Sequence, residues 1–104
     1  MTQQTWNELS FFEQLSNIDG DVERLIRAHE DYLAGEAKED YGLFYLDKIE
    51  KLIKMTMHDD KNAGKGYRAI ELFDEFEEIK GYLSGKYDAE YLRRYWNEYT
   101  LAIS

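Results

Sequence analysis

The sequence predicts an all-α protein, an antiparallel four-helix bundle that forms a single helical domain over residues 1–104. The chain contains no proline, the residue that most often interrupts a helix interior. Apolar residues recur at intervals of three and four in several long segments, as expected for amphipathic helices. The segments between them are short, which favours antiparallel packing of consecutive helices. A chain of 104 residues is long enough to bury one core.

The first helix is predicted from Phe11 to about Ala34. It follows a capping box in which the Ser10 hydroxyl accepts from the Glu13 backbone N–H and the Glu13 carboxylate accepts from the Ser10 N–H. The apolar stripe keeps its phase across Gly20, so no turn is expected at that glycine despite its cost of about 1 kcal/mol relative to alanine. The stripe consists of Phe11, Leu15, Ile18, Val22, Leu25, His29 and Tyr32.

The second helix is predicted from Glu36 to His58, and the polar segment 61–66, which holds two glycines, is predicted as the one true loop. The third helix is predicted from Tyr67 to Leu83 and ends at the glycine of Ser84-Gly85. The inward residues of the second helix are expected to be Tyr45, Ile49, Leu52, Ile53 and Thr56. Those of the third are expected among Ile70, Leu72, Phe73, Phe76, Ile79 and Leu83.

The last helix is predicted from Ala89 to Ile103, with Asp88 as its N-cap. Its side chains are strongly aromatic. The residues expected to point inward are Leu92, Tyr95, Trp96, Tyr99 and Ile103.

Composition excludes some functions and favours others. The net charge is −9, from 22 acidic and 13 basic residues, and this sign disfavours direct nucleic-acid binding while it attracts basic surfaces. The absence of cysteine excludes a disulfide framework and a thiol nucleophile. No apolar run approaches the length of a membrane span, and the polar N-terminus does not resemble a signal peptide. We therefore expect a cytoplasmic protein without membrane contact.

The sequence predicts no metal site and no cofactor. Acidic residues in the segment 17–28 have spacing similar to a calcium loop, but the glycine comes too early and the twelfth position is Ala28 instead of glutamate. Di-iron bundles use a Glu-x-x-His pair, whereas the residues three positions before the two histidines are Ile26 and Met55.

Arg24 and His29 have the arginine, four residues, histidine spacing of the HEPN ribonuclease class. An offset of five residues in a regular helix separates two side chains by roughly 140°, so the pair does not converge on one phosphate. His29 also belongs to the apolar stripe, where a structural imidazole is expected. No nucleophile elbow or phosphate-binding loop is present either. We therefore predict no catalytic residues and no enzyme, and a HEPN-like ribonuclease or toxin–antitoxin component remains an alternative.

The segment "TWNELSFFEQLSNIDGDVERLI" resembles the opening of a family of uncharacterised bacterial helical proteins of about this length. These proteins begin with a tryptophan, a Leu-Ser-Phe-Phe-Glu-Gln-like segment, an Asn-Ile pair and a Val-x-Arg. The similarity continues through "YLDKIEKLIKMTMHDD" and the aromatic last helix. The resemblance implies a helical fold in bacteria and no activity.

The strongest functional candidate is the acidic and aromatic third helix. Carboxylates beside tyrosines suit an interface with arginine or lysine, although a solvated helix face has the same composition. We therefore expect a non-enzymatic protein that binds a basic protein surface, with inhibition of a nuclease or CRISPR-type effector by phosphate mimicry as the specific hypothesis. A structural homodimer is a further alternative. The predicted partner-binding residues are Glu71, Asp74, Glu75, Glu77, Glu78, Tyr82 and Tyr87.

Overall fold

The computed structural model describes the backbone of residues 1–103 and the side chains of residues 1–101. In this range the chain is helical and contains no strand, which confirms the all-α prediction. The helices are α1 (Gln3–Asn7), α2 (Phe11–Leu33), α3 (Gly42–Met57), α4 (Asp60–Ala63), α5 (Gly66–Leu83) and α6 (Ala89–Ile103).

Helix α2 forms as its local signals predict. The Ser10 hydroxyl accepts from the Glu13 backbone N–H at 3.1 Å, and the Glu13 carboxylate accepts from the Ser10 N–H at 3.0 Å. Gly20 lies within the helix and does not have a positive φ, so the prediction of one continuous helix is confirmed. The helix ends where Gly35 adopts a φ of 77° and donates its N–H to the Tyr32 carbonyl at 3.1 Å.

The predicted start of the second helix at Glu36 is wrong, because α3 begins at Gly42. Asp40 contacts both helices at this start: its Oδ1 accepts from the Gly42 N–H at 2.9 Å and its Oδ2 lies 2.7 Å from Nδ1 of His29. Gly42 allows a close approach to α5, since an added Cβ would lie 3.2 Å from Leu83 Cδ2. Gly35 thus ends α2 locally, whereas the start of α3 at Gly42 involves contacts with α2 and α5.

The predicted loop 61–66 is also partly wrong, because α4 occupies residues Asp60–Ala63. The Asp59 carboxylate caps this short helix by accepting from the Lys61 backbone N–H at 3.2 Å. Helix α5 ends at the predicted glycine, where Gly85 has a φ of 87°. Asp88 accepts from the Tyr91 N–H at 2.8 Å, which confirms the predicted start of the last helix.

The core lies where α2 packs along α3, α3 against α5, and α5 against α6, which also contacts α2. Every residue of the predicted α2 stripe is buried except Tyr32, which is 42% exposed. Of the residues among which the core of the third helix was expected, Leu72, Phe76 and Ile79 are buried, whereas Ile70 and Phe73 are exposed. The side chain of Ile103 lies outside the described residues.

Helix α1 is held against the rest of the molecule by a buried polar network. The indole N–H of Trp6, a fully buried residue, donates to Thr56 Oγ1 at 3.0 Å. The Gln14 amide donates to the Trp6 carbonyl at 3.0 Å and to Asp59 Oδ2 at 2.7 Å. The Asn62 amide donates to Gln14 Oε1 at 3.2 Å and to the Thr56 carbonyl at 2.8 Å. These bonds join α1 to α2, α3 and α4.

Candidate functional site

The acids of α5 follow a spacing that places them on one face of the helix. Glu71, Asp74, Glu75 and Glu78 are related as i, i+3, i+4 and i+7, the spacing that is typical of a buried apolar stripe. In the structure Glu75 is buried, Glu71 and Glu78 are half-buried, and Asp74 is exposed. This face of α5 is directed toward α6.

An open groove of about 300 Å³ lies between the two helices, and we refer to it as the acidic groove. Helix α6 supplies its second wall from residues 95, 98 and 99, which again lie one helical turn apart. Four of its lining residues are acids and two are tyrosines. They are Glu71, Asp74 and Glu75 from α5, and Tyr95, Glu98 and Tyr99 from α6.

None of the four acids in this groove forms an ion pair with a residue that the structure describes. Some acids elsewhere are paired: Glu23 accepts hydrogen bonds from Arg93 Nε and Nη2, for example, and this contact lowers the pKa of Glu23. The groove thus concentrates negative charge that the described part of the chain does not neutralise.

Glu75 is the least accessible acid of the groove. Glu75 is only 2% exposed, and its Oε2 is buried without a hydrogen-bond partner among the described residues. Burial, and after it the charges of Glu78, Asp74 and Glu71, raise the pKa of Glu75 to about 8. Glu75 is therefore largely protonated at neutral pH.

Tyr99, on the opposite wall, shares these properties. Its hydroxyl is buried and has no hydrogen-bond partner among the residues described, and burial raises the pKa of the phenol. The groove thus contains two buried oxygens, one from each helix, that can still form hydrogen bonds. Strongly perturbed ionisable groups in a cleft are typical of functional sites.

The wall formed by α6 continues as a row of stacked rings, the tyrosine ladder of Tyr87, Tyr91 and Tyr95. Ring centroids lie 4.4 Å apart for Tyr87 and Tyr91 and 6.0 Å apart for Tyr91 and Tyr95. The ladder rests on Gly81 of α5, since an added Cβ there would lie 2.6 Å from Tyr87 Cε2. The ladder therefore connects the turn after α5 to the acidic groove.

The structure brings together only part of the predicted partner-binding set. Glu71, Asp74 and Glu75 line the groove, and Tyr87 begins the ladder. Glu78 lies beside them, and its charge contributes to the raised pKa of Glu75. Glu77 is exposed and forms a 2.8 Å ion pair with Lys80 outside the groove.

Tyr82 does not belong to the predicted contact surface. It is only 4% exposed, its hydroxyl donates to the Ile26 carbonyl at 3.3 Å, and its ring packs edge-on against His29 at 5.0 Å. The heptad spacing from Leu72 through Ile79 places Tyr82 in the core stripe of α5. A partner cannot contact it in the folded protein.

Sequence reasoning missed Glu98 as a site residue and assigned Tyr95 and Tyr99 to the core. Tyr99 is indeed buried, but it also lines the groove. A signal was available, because the acids at 71, 74, 75 and 78 occupy spacing that normally carries apolar residues. Glu75 in particular continues the stripe of Leu72, Phe76 and Ile79, and that position indicates an acid removed from water.

The two residues of the HEPN-like pattern lie in different environments. His29 is buried, with Nδ1 2.7 Å from Asp40 Oδ2. The side chain of Arg24 is 60% exposed and donates to Asp21 Oδ1 at 2.9 Å. Each side chain has a structural contact that explains its position, one closing the loop before α3 and the other on the surface of α2.

Among residues 1–101, no group of three or more histidines or acids is arranged to hold a metal ion. Within the part of the chain that the structure describes, no helix has both the length and the apolar character of a membrane span. Neither a protein-family model, a curated protein nor a solved structure matches this chain significantly.

Proposed function

We propose that the protein is a non-enzymatic binding protein of the cytoplasm that docks its acidic α5–α6 surface onto a basic surface of another macromolecule. The specific form of the proposal is inhibition of a nuclease or CRISPR-type effector by phosphate mimicry. We take α2, α3, α5 and α6 to form an antiparallel bundle, in which this surface is one side. The observation that carries the proposal is the set of unpaired acids around the groove.

Clustered carboxylates repel one another, and this repulsion destabilises the free protein. Burial is the main cause of the raised pKa of Glu75, and the charges of Glu78, Asp74 and Glu71 add to it. A partner that brings positive charge relieves the repulsion, so part of the binding free energy comes from removing an unfavourable interaction in the free protein. A purely solubilising surface gains nothing from placing four acids around one groove.

Phosphate mimicry is supported by the regular spacing of the acids. Acids one helical turn apart have Cβ atoms separated by roughly 5–6 Å, so Glu71, Asp74 and Glu78 form a row of charges along α5. A cationic channel that binds a phosphate backbone can accept such a row. The helix is also rigid, which reduces the entropy lost on binding.

The test is charge reversal of Asp74, Glu77 and Glu78 to lysine, followed by affinity capture from the native host and identification of the retained proteins. Each replacement changes the charge by two, so the variant carries −3 where the wild type carries −9. We expect the triple variant to lose a basic partner that the wild type retains, and we expect the wild-type complex to weaken as salt increases.

A matched control separates a local surface from bulk charge. Replacing Glu8, Glu36 and Glu39 by lysine produces the same net charge with exposed acids that lie outside α5 and α6. This control should retain the partner. Equal loss in both variants, or a wild-type complex that is insensitive to salt, would contradict the proposal, provided that circular dichroism shows both variants folded.

A structural homodimer is the second candidate, and one observation favours it. Tyr67, Ile70 and Phe73 form an exposed apolar strip on α5, with 54%, 65% and 48% of their surface accessible. This strip lies beside the acidic face rather than within it. Sedimentation equilibrium of the wild-type protein distinguishes the two candidates, since the binding proposal requires no self-association.

A further inference from the structure

We propose that the acidic groove is a receptor for one guanidinium group, the side chain of an arginine, with the Glu75 carboxylate as its direct ion-pair partner. The inference rests on the proposed function only for the source of that arginine, which we take to be the basic partner protein. It adds a specific anchor to what is otherwise a general attraction between charged surfaces.

The first argument is the pair of buried oxygens without partners. Glu75 and Tyr99 both line the groove, and the buried Oε2 of Glu75 and the buried hydroxyl of Tyr99 form no hydrogen bond with a described residue. Both oxygens can accept hydrogen bonds from N–H groups. A guanidinium presents five N–H donors in a fixed planar fork, so one group can reach acceptors on both walls. Its binding would satisfy two atoms whose burial destabilises the free protein.

The second argument is the mixture of charge and aromatic surface. Tyr95 and Tyr99 line the same groove as Glu75, with Glu71, Asp74 and Glu98 around them. Planar guanidinium ions stack on aromatic faces and donate hydrogen bonds from their edges to carboxylates. A compact ammonium uses the planar rings less well, and no group of three or more acids among the described residues is arranged to hold a metal ion. The lining therefore favours arginine over lysine or calcium.

The third argument is that the arginine beside the groove is engaged elsewhere. The charge of Arg68 acts on Tyr99, yet its Nη1 donates to Asn62 Oδ1 at 2.7 Å. Its guanidinium also lies 4.0 Å from the ring centroid of Phe11. These contacts hold Arg68 away from Glu75, so the groove remains available to a guanidinium from another molecule.

Binding is coupled to the loss of a proton. Glu75 is largely protonated at neutral pH, and a guanidinium favours its ionised form, so the proton leaves as the ion pair forms. The groups that face Glu75 are acids and phenols: Glu71, Asp74 and Glu78 on α5, and Tyr95, Glu98 and Tyr99 on α6. Affinity for arginine should therefore increase as the pH rises through about 8.

The test is a nuclear magnetic resonance titration of the full-length protein with Nα-acetyl-arginine methylamide. We expect saturable shifts at the ring signals of Tyr95 and Tyr99, with a dissociation constant on the order of millimolar for so small a ligand. The citrulline analogue, which has the same shape without the charge, should bind about tenfold more weakly or not at all. The same shifts should be larger above the Glu75 pKa than below it.

Variants connect this binding to Glu75. Glu75→Gln should weaken arginine binding by about tenfold, because it removes the charge and keeps the shape. Glu90→Gln is the matched control, since Glu90 is an exposed acid of α6 that pairs with Arg94 outside the groove. Tyr99→Phe keeps the ring and removes one acceptor, so it should weaken binding several-fold; it also tests the groove if Glu75→Gln does not fold.

Several outcomes would overturn the inference. These are equal binding of the citrulline analogue, equal losses in Glu75→Gln and Glu90→Gln, or tighter binding of the lysine analogue, spermidine or calcium. Its failure is distinguishable from failure of the proposed function. If arginine does not bind while charge reversal of Asp74, Glu77 and Glu78 still abolishes partner capture, the groove is not the anchor but the acidic surface is the interface. If arginine binds and that reversal has no effect on capture, the proposed function fails instead.

Discussion

At the scale of the residue, the most informative side chain is Glu75, a carboxyl in a row of apolar positions. The same side of α5 carries the buried side chains of Leu72, Phe76 and Ile79. A carboxylate at such a position loses hydration that nothing among the described residues replaces, so the fold favours the neutral acid. Glu75 therefore connects the stability of the protein to the chemistry of its groove.

Glu75→Gln should stabilise the protein at high pH and have little effect at low pH. The folded pKa of about 8 lies above the ordinary value of 4.5, so the folded state holds its proton more tightly than the unfolded state does. The contribution of the protonated Glu75 carboxyl to the free energy of unfolding is complete below about pH 4.5 and is lost as the pH rises through about 8. Glutamine resembles the protonated acid at every pH. We expect it to raise the free energy of unfolding by about 1–3 kcal/mol above pH 8, allowing for solvent screening.

Urea unfolding at a series of pH values measures this difference. The exposed variant Glu90→Gln should follow the wild-type pH dependence closely. Parallel curves for the wild type and Glu75→Gln would mean that Glu75 is already ionised, and hydrated, in the folded protein.

At the scale of the element, glycines with different backbone conformations should respond in opposite directions. Gly20→Ala should raise the stability by up to about 1 kcal/mol, because alanine is the better helix former. The added Cβ would lie 3.3 Å from Arg24 Nη1, the end of a flexible side chain that can move. Gly85→Ala should lower the stability by about 1 kcal/mol or more, since Gly85 has a φ of 87°.

Thermal and urea unfolding of the two variants provide the comparison. A lower melting temperature for Gly20→Ala would indicate that the neighbouring Arg24 contact with Asp21 matters more than helix propensity. An unchanged Gly85→Ala variant would indicate that α5 can end in another conformation.

Helix boundaries with local signals were predictable, and those fixed by contacts between helices were not. Ser10, Asp88 and Gly85 mark their boundaries through hydrogen bonds or backbone conformation within a few residues. The start of α3 depends on Asp40 reaching His29 of α2, which no local pattern announces. Helix α1 was missed because five residues are too few to show a period.

Only the α5 wall of the acidic groove could be predicted from the sequence. The acids of α5 stand out in the sequence, but pairing them with Tyr95, Glu98 and Tyr99 requires knowing that α5 packs against α6. The spacing along α5 does separate Glu75 from its exposed neighbour Asp74, because Glu75 continues the stripe of Leu72, Phe76 and Ile79 and Asp74 does not. Tyr82 lies on the same stripe, so its burial could also have been predicted.

At the scale of the whole molecule, stability depends on a residue near the N-terminus. Trp6→Ala should lower the free energy of unfolding by about 3–5 kcal/mol, because it removes a fully buried ring and its hydrogen bond to Thr56. The total free energy of unfolding of a domain of this size is about 5–15 kcal/mol, so the loss would affect the stability of every helix. Trp6→Phe should cost less, since it keeps most of the apolar volume.

Circular dichroism during heating measures the effect, with Tyr32→Ala as an exposed aromatic control. If Trp6→Ala unfolds at the wild-type temperature, α1 is an appendage and the buried network around Gln14 does not depend on it. A single lowered transition would instead show that α1 folds as part of one cooperative unit.

The tyrosine ladder also gives the molecule an optical property. Phenol rings stacked at fixed distances along a helix interact as chromophores, and fixed aromatic packing produces a near-ultraviolet dichroism signal that is lost when packing loosens. The first ring, Tyr87, packs against Gly81, and the last ring, Tyr95, lines the acidic groove. The ladder therefore extends from the end of α5 to the wall of the groove. The near-ultraviolet dichroism of these tyrosines should therefore change when a partner binds at the acidic groove, and no added label is needed to detect it.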